Sequence, residues 1–248
     1  MQVPAAGASP AFGQHIITVA VLTAAIVGMC WLGRRLHGTP AGRRYEICLS
    51  VAVWAIWSGY QAYDFVTLGW DPGNTLPLQI CDFVAVIAAL VFVRPTRRLQ
   101  SLAYFWGIAL STQAFITPDL AGGPGSLSFW AFWLYHLFVV GAGVYVVAVQ
   151  RFRPQWRDLQ FAVLMGLVYS VAIFAIDAIF DLNYGYLGRG TPSRPTLLDV
   201  LGPWPLRSLF MVMLGIVAMT LLWLPWRTKA RSELRARRSE VSRADAEL

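Results

Sequence analysis

The 248-residue chain is 57% hydrophobic and only 13% charged, with a mean hydropathy of +0.54. Soluble globular domains carry about twice that fraction of charged residues, so the composition excludes an ordinary water-soluble domain. The net charge of +7 does not indicate nucleic-acid binding, because the cationic residues stand in short clusters between apolar segments, and no nucleic-acid partner is expected.

Seven apolar segments follow one another along the chain, each close to the roughly 20 residues that cross a bilayer. They predict an all-α polytopic membrane protein, a bundle of seven transmembrane helices. The transmembrane domain covers residues 15–226, between a short extracytoplasmic N-terminus at 1–14 and a basic cytoplasmic tail at 227–248. The predicted spans are residues 15–33, 46–68, 76–93, 99–117, 128–150, 158–181 and 205–226.

The cationic residues alternate between the two sides of these spans. Seventeen of the twenty Lys and Arg residues follow odd-numbered spans, and only Arg189, Arg194 and Arg207 lie on the other side. Because positively charged loops stay in the cytoplasm, this alternation predicts an N-terminus outside and a C-terminus inside. The predicted location is the cell membrane, crossed several times.

Polar side chains concentrate in the outer halves of five predicted spans. Polar groups that face lipid are costly, so we expect these side chains to face inward and to line a polar, partly hydrated cavity. The residues concerned are Asp64, Gln79, Cys81, Asp82, Gln113, His136, Asp177, Asp181, Asn183 and Tyr184.

Cys81 and His136 are the members of this set best suited to chemistry. A thiol becomes a strong nucleophile when a neighbouring base favours the thiolate, and His136 is the only histidine inside a predicted span. Asp82 or Asp177 would orient the imidazole, and their spacing does not choose between them. The alternative is that Cys81 is a small apolar filler, the commoner role of a cysteine in a membrane.

Two other interpretations use the same residues. Asp64, Asp82, Asp177 and Asp181 suit a proton- or cation-coupled transporter as well as a purely structural network with nearby amides. A metal site is not expected, because the three cysteines and three histidines show neither Cys-x-x-Cys nor His-x₃-His spacing, and no cofactor is predicted.

Four motifs carry a resemblance to a known family. In chain order they are "LPLQICDF", "STQAFITPDL", "FWAFWLYHLF" and "NYGYL…PTLLDVLGPWP". Together they resemble the signatures of the YwaF family of integral membrane proteins, from span two to span seven. The family's eukaryotic relatives are membrane acyltransferases that remodel ether phospholipids. They carry the acyl group on a cysteine at the start of a span, with a histidine two spans later, and those positions match Cys81 and His136.

The resemblance has a departure and a wider implication. Many relatives have "PLHLC" where this chain has "PLQIC", so Gln79 stands in place of a histidine. The eukaryotic relatives also look distantly similar to intramembrane hydrolases of fatty-acid esters that use a threonine–histidine pair. The resulting hypothesis is a lipid acyltransferase or acyl thioesterase acting on a phospholipid or other acyl lipid. Gln79 or Gln113 would donate to the oxyanion.

Two alternatives to that enzyme remain open. One is a transporter or small-molecule-binding membrane protein that uses the same outward-facing cavity. The other is a seven-span receptor or structural membrane component.

Overall fold

The computed structural model of the protein describes residues 12–118, 120, 123–190 and 201–246, and its side chains over the parts of these ranges between residues 13 and 227. The described residues are helical and contain no strand. The α-helices are α1 (Phe12–Leu36), α2 (Pro40–Leu68), α3 (Ile80–Val93), α4 (Arg97–Tyr104), α5 (Gln113–Ile116), α6 (Leu127–Ala148), α7 (Trp156–Phe180) and α8 (Leu206–Ala246). A π-helix, Phe105–Leu110, lies between α4 and α5, and a 3-10 helix, Tyr184–Tyr186, follows α7.

The helices follow the predicted segments, with differences that have local causes. α3 begins at Ile80 rather than at Leu76, because Pro77 disfavours a helical conformation at the residue before it. The Asp82 carboxylate then accepts a hydrogen bond from the Gln79 N–H at 3.0 Å and fixes Gln79 as the N-cap. The fourth segment is interrupted by the π-helix, which its apolar pattern did not predict.

Four helices are long and apolar enough to cross a membrane, judged by length and composition within the described residues. They are Gly13–Leu36, Leu127–Ala148, Trp156–Phe180 and Leu206–Arg227, and Ile80–Val93 is a shorter apolar helix. The backbone of α8 continues through the predicted boundary at residue 227 as far as Ala246. The side chains of the predicted basic tail from residue 228 onward lie outside the described residues.

α6 is the central helix, packed against α1, α2, α3, α4 and the π-helix. Glycines allow its backbone to approach the π-helix closely. A Cβ on Gly107 would lie 2.7 Å from the Val139 carbonyl oxygen, and one on Gly143 would lie 2.7 Å from the Ala103 carbonyl oxygen. Close backbone approach at small residues is typical of helices packed in membranes. It holds the C-terminal half of α6 against α4 and the π-helix.

α7 and α8 pack beside this core, against each other and the π-helix. Much of their apolar surface remains exposed, including Val171 and Ile179 on α7 and Leu214 and Leu221 on α8. A continuous apolar surface of this kind is unfavourable in water and ordinary in lipid. The outer faces of α7 and α8 are therefore surfaces for hydrocarbon.

Candidate functional site

The Cys81 thiol lies in the first turn of α3 and is half-buried. Its Sγ is 3.7 Å from the Ser111 hydroxyl, at the C-terminal end of the π-helix. The Ser111 hydroxyl itself donates to the Trp106 carbonyl oxygen at 3.1 Å, so it is free to accept from the thiol S–H. Ser111 is fully buried, and this contact directs the sulfur toward the π-helix.

The Asp82 carboxylate joins three helices. Its Oδ1 accepts from the Trp57 indole N–H at 3.1 Å and from the Tyr135 hydroxyl at 3.0 Å, and its Oδ2 accepts from the Gln79 N–H at 3.0 Å. Trp57 belongs to α2 and Tyr135 to α6. Both oxygens of this buried group are therefore satisfied by the protein, and the group acts as a joint between α2, α3 and α6.

His136 is 5% exposed, and a backbone carbonyl orients its ring. Nδ1 lies 2.9 Å from the Phe132 carbonyl oxygen, which can only accept, so Nδ1 carries the proton and Nε2 keeps a lone pair. The ring packs on Phe132 and against the edge of Tyr135, at centroid distances of 4.2 and 5.0 Å. Among the described hydrogen bonds, neither Asp82 nor Asp177 contacts the imidazole.

Cys81 and His136 flank one interhelical hydrogen bond. The bond from Tyr135 to Asp82 joins the residue before His136 to the residue after Cys81. Cys81 and His136 are therefore each one residue from this bond along their own helices. Within the described residues no hydrogen bond connects them: the thiol contacts Ser111 and the imidazole contacts Phe132. Their catalytic pairing stays a prediction.

The loop after α7 is hydrogen-bonded to the segment before α3. The Tyr184 hydroxyl donates to the Pro72 carbonyl oxygen at 2.7 Å and accepts from the Leu76 N–H at 3.0 Å. Gln79 Oε1 accepts from the Gly185 N–H at 2.9 Å. Three residues of the predicted set therefore meet here, because the Tyr184 N–H also donates to Asp177 Oδ1 at 3.0 Å.

Three buried polar atoms near this junction have no hydrogen-bond partner among the described residues: Asp177 Oδ2, Asn183 Oδ1 and Arg207 Nε. Asp177 is 1% exposed and Arg207 3% exposed. Arg207 donates instead to the carbonyl oxygens of Gly188 and Gly190, at 2.8 and 2.6 Å. Buried polar atoms normally have partners, so these three atoms are candidates to bind a proton, a water or a ligand.

The remaining predicted residues lie apart from these networks. The Asp64 side chain is half-buried on α2 and makes no described hydrogen bond. Asp181 is exposed at the C-terminal end of α7 in a left-handed conformation, with φ of 54°. Gln113 is exposed at the start of α5, at the edge of a cavity. In the described part of the chain, no group of three His, Cys, Asp or Glu residues could hold a metal ion.

That cavity, of about 160 Å³, lies between the π-helix, α7 and α8. We call it the apolar groove. Its lining includes Ile80, Leu110, Gln113, Tyr169, Gly185 and Met219. Ile80 directly precedes Cys81, and Gly185 is bonded to Gln79, so the groove begins beside the start of α3. Its lining is mostly aliphatic, which suits a hydrocarbon chain.

Three hydrogen-bond partners of the site residues were not predicted from the sequence. Trp57 and Tyr135 were assigned to apolar spans, although their N–H and O–H groups serve Asp82. The signal was present, because Tyr and Trp buried in a core usually find a hydrogen-bond partner. Ser111 was noted only as one of several polar residues at the end of span four, and nothing in its spacing paired it with Cys81.

One comparison with known proteins matches most of the chain. The model of the TMEM164 family matches residues 11–223. A search of curated proteins and a search of solved structures each found no match. The family match and the apolar helices make this a multi-pass membrane protein.

Proposed function

Because the chain belongs to the TMEM164 family of transmembrane proteins, we propose that it crosses the cell membrane seven times with its N-terminus outside. The helices support this count when α4, the π-helix and α5 are taken as one crossing. The arginine-rich connections after the odd-numbered crossings support the orientation. In this topology, the start of α3 and the end of α7 lie on the extracytoplasmic side.

The proposed activity is acyl transfer between membrane lipids through a thioester on Cys81. The observation that carries it is the half-buried Cys81 thiol, which directly follows Ile80 of the groove lining and contacts Ser111 at the end of the π-helix. An acyl chain in the groove would bring its ester carbonyl to the start of α3. A substrate held in this way never has to leave the membrane, and burial of its chain positions the reacting carbon.

The reaction has two balanced steps. The Cys81 sulfur attacks the ester carbonyl, the carbon–sulfur bond forms, the carbon–oxygen bond breaks, and the lysolipid leaves as an alcohol with the thiol proton. The hydroxyl of the acceptor lipid then attacks the thioester and returns its proton to the sulfur as the carbon–sulfur bond breaks. His136 Nε2, whose lone pair is free, carries the proton in each step, directly or through one water.

Amide groups at the site supply the oxyanion donors in this proposal. Gln79 uses its Oε1 to accept from Gly185, which leaves its NH₂ group without a described partner. Gln113 lines the groove and makes no described side-chain hydrogen bond. Either NH₂ group would stabilise negative charge on the carbonyl oxygen of the substrate.

An alkyne-labelled phospholipid tests the proposal on purified protein in lipid nanodiscs. We expect hydroxylamine-sensitive labelling of the wild type and a loss of more than about a hundredfold in transfer rate for Cys81→Ala. Cys48→Ala is the matched control, because Cys48 is exposed on α2 and outside the site. If Cys81→Ala transfers acyl groups as fast as the wild type, covalent catalysis at Cys81 is wrong.

A second candidate function is transport or binding of a small polar molecule or ion. The buried atoms without partners on Asp177, Asn183 and Arg207 support it, because they would be satisfied by a bound solute or a transferred proton. Uptake by proteoliposomes would then survive Cys81→Ala and be lost in Asp177→Asn. If the protein is an acyltransferase, its activity should be lost in Cys81→Ala and be less affected by Asp177→Asn.

A further inference from the structure

A second cavity, of about 290 Å³, opens at the end of the bundle away from Cys81, where α1 and α6 terminate. We call it the basic cavity. Its lining side chains include Arg34 in the last turn of α1, His37 just after that helix, and Arg151 and Arg153 between α6 and α7. The rest of its wall is formed by residues 147–149. Three guanidinium groups and an imidazole therefore surround a space that no carboxylate lines.

The protein uses only part of the hydrogen-bonding capacity of these arginines. Arg34 donates through Nε to the Ala148 carbonyl oxygen at 2.7 Å. Arg153 donates through Nη1 to the Phe152 carbonyl oxygen at 3.1 Å, and its guanidinium lies over the Trp226 ring at 5.3 Å. A guanidinium has five N–H donors, so most of them remain available.

Arg151 contributes a charge that the described residues leave without a hydrogen bond. Its backbone has φ of 58°, a left-handed conformation that a residue with a side chain adopts at a cost. Hydrogen bonds on either side hold it there, from the Gln150 N–H to the Tyr145 carbonyl oxygen and from the Phe152 N–H to the Val146 carbonyl oxygen. The strained turn brings the chain back across the mouth of the basic cavity.

The acids nearest this end do not line the basic cavity. Asp158 is bound by Arg97 through both carboxylate oxygens, at 2.9 and 2.6 Å. Glu46 accepts from the Tyr145 hydroxyl at 3.4 Å and acts electrostatically on His37 from outside the lining. The positive charge of the cavity is therefore only partly countered within the described protein.

We infer that the basic cavity binds a phosphate group. Guanidinium N–H groups match two phosphate oxygens at once, and clustered arginines are the usual device for such anions. In the last two turns of α1, which also carry Arg34, the Arg35 guanidinium lies over the Trp31 ring at 5.1 Å, an arrangement typical of a membrane interface. An anionic phospholipid headgroup and a free phosphate compound share the chemistry that this site recognises. The inference does not depend on acyl transfer.

The test uses the purified full-length chain in neutral detergent, with radiolabelled phosphatidylglycerol as the probe and excess phosphatidylcholine as competitor. Arg151→Gln removes a charge that makes no described contact, so the protein should fold normally. We expect about a fivefold loss of phosphatidylglycerol binding, and a further loss of similar size when Arg34→Gln is added. A size-exclusion profile checks folding of each variant.

The matched control is Arg44→Gln with Arg94→Gln, which removes the same charge from two exposed arginines outside the basic cavity. We expect it to change binding less than about twofold. Inorganic phosphate identifies the source of the ligand. Displacement of the labelled lipid by millimolar phosphate supports a site for free phosphate, and retention of the lipid supports a headgroup site. Equal losses in cavity and control variants, or no binding of either probe, would overturn the inference.

Discussion

Asp82 and Asp177 are two buried carboxylates on the side of the bundle that holds Cys81, and the protein treats them differently. Asp82 accepts three hydrogen bonds from the protein, and both of its oxygens have partners. Within the described residues, Asp177 accepts one, from the Tyr184 N–H, and its second oxygen is buried without a donor. The sequence presents them as equivalent acids near the ends of apolar segments.

This difference in hydrogen bonding suggests a structural role for Asp82 and a ligand-binding role for Asp177. A buried carboxylate whose two oxygens both have donors contributes to the stability of the fold, and removing it leaves those donors unpaired. A buried carboxylate with one free oxygen lacks a partner that a proton, a water or a substrate would provide. Asp82 therefore connects the helices that carry Cys81 and His136, and we propose that Asp177 is the acid that exchanges with a ligand.

The largest expected effect is the loss of stability in Asp82→Asn. The new NH₂ group must face either the Gln79 N–H or the donors of Trp57 and Tyr135, so a donor meets a donor in a buried site. We expect a cost on the order of 2–4 kcal/mol and a clearly lower melting temperature in detergent. Asp64→Asn is the control, since the Asp64 side chain makes no described hydrogen bond. Similar melting temperatures for both variants would contradict the account of Asp82.

Tyr135→Phe sharpens the comparison by removing a single donor. Asp82 Oδ1 keeps the Trp57 indole N–H, so we expect a cost of about 1–2 kcal/mol, smaller than that of Asp82→Asn. The Tyr135 hydroxyl also holds α6 against α3, and its loss should lower the acyl-transfer rate. Tyr63→Phe, on α2 and without a described hydroxyl bond, is the matched control. If Tyr135→Phe leaves both the melting temperature and the acyl-transfer rate unchanged, the hydrogen bond from Tyr135 to Asp82 does not hold α6 in place against α3.

Asp177→Asn should change stability by less than about 1 kcal/mol. The amide oxygen can still accept from the Tyr184 N–H, and the new NH₂ group replaces an oxygen that already lacks a partner. We therefore expect the same Asp-to-Asn substitution to lower the free energy of unfolding much less at residue 177 than at residue 82. Parallel thermal melts of the two variants measure the contrast directly, and a reversed order would refute the assignment of roles.

The smallest effect concerns Asp71, a carboxylate in the loop before α3. The Asn74 side chain and then the Gly73 N–H donate to it and lower its pKa below the ordinary value near 3.8. A group with a lowered pKa stabilises its loop above that ordinary value and loses the contribution as pH falls through the lowered pKa. The amide shift of Gly73 should therefore change only in acid. A shift already complete by pH 5 would exclude this role.

The sequence predicted the helices well and the contacts between them poorly. Apolar length located the four helices that are long and apolar enough to cross a membrane, because bilayer-spanning helices are defined by local composition. The count of seven spans stays a prediction. The later start of α3 depended on Pro77 and on a side-chain cap, and the π-helix depended on close packing at Gly107, neither of which is a matter of hydropathy.

The sequence predicted which residues belong to the candidate site. Which of them contact one another could be seen only in the structure. Cys81 was expected to meet His136, yet its described partner is Ser111. The ring of His136 was expected to be oriented by a carboxylate, yet a backbone carbonyl orients it. Such pairings depend on the rotation of each helix, which a sequence with many small and apolar residues on every face leaves open.

The most direct test of the account is mass spectrometry of the Cys81 peptide after a brief incubation of the purified protein with a phospholipid. The account predicts that this peptide gains the mass of one acyl chain, that hydroxylamine removes it, and that peptides bearing Cys30 and Cys48 do not gain it. Acyl transfer with an unmodified Cys81 peptide, or with the acyl group on another residue, would contradict it.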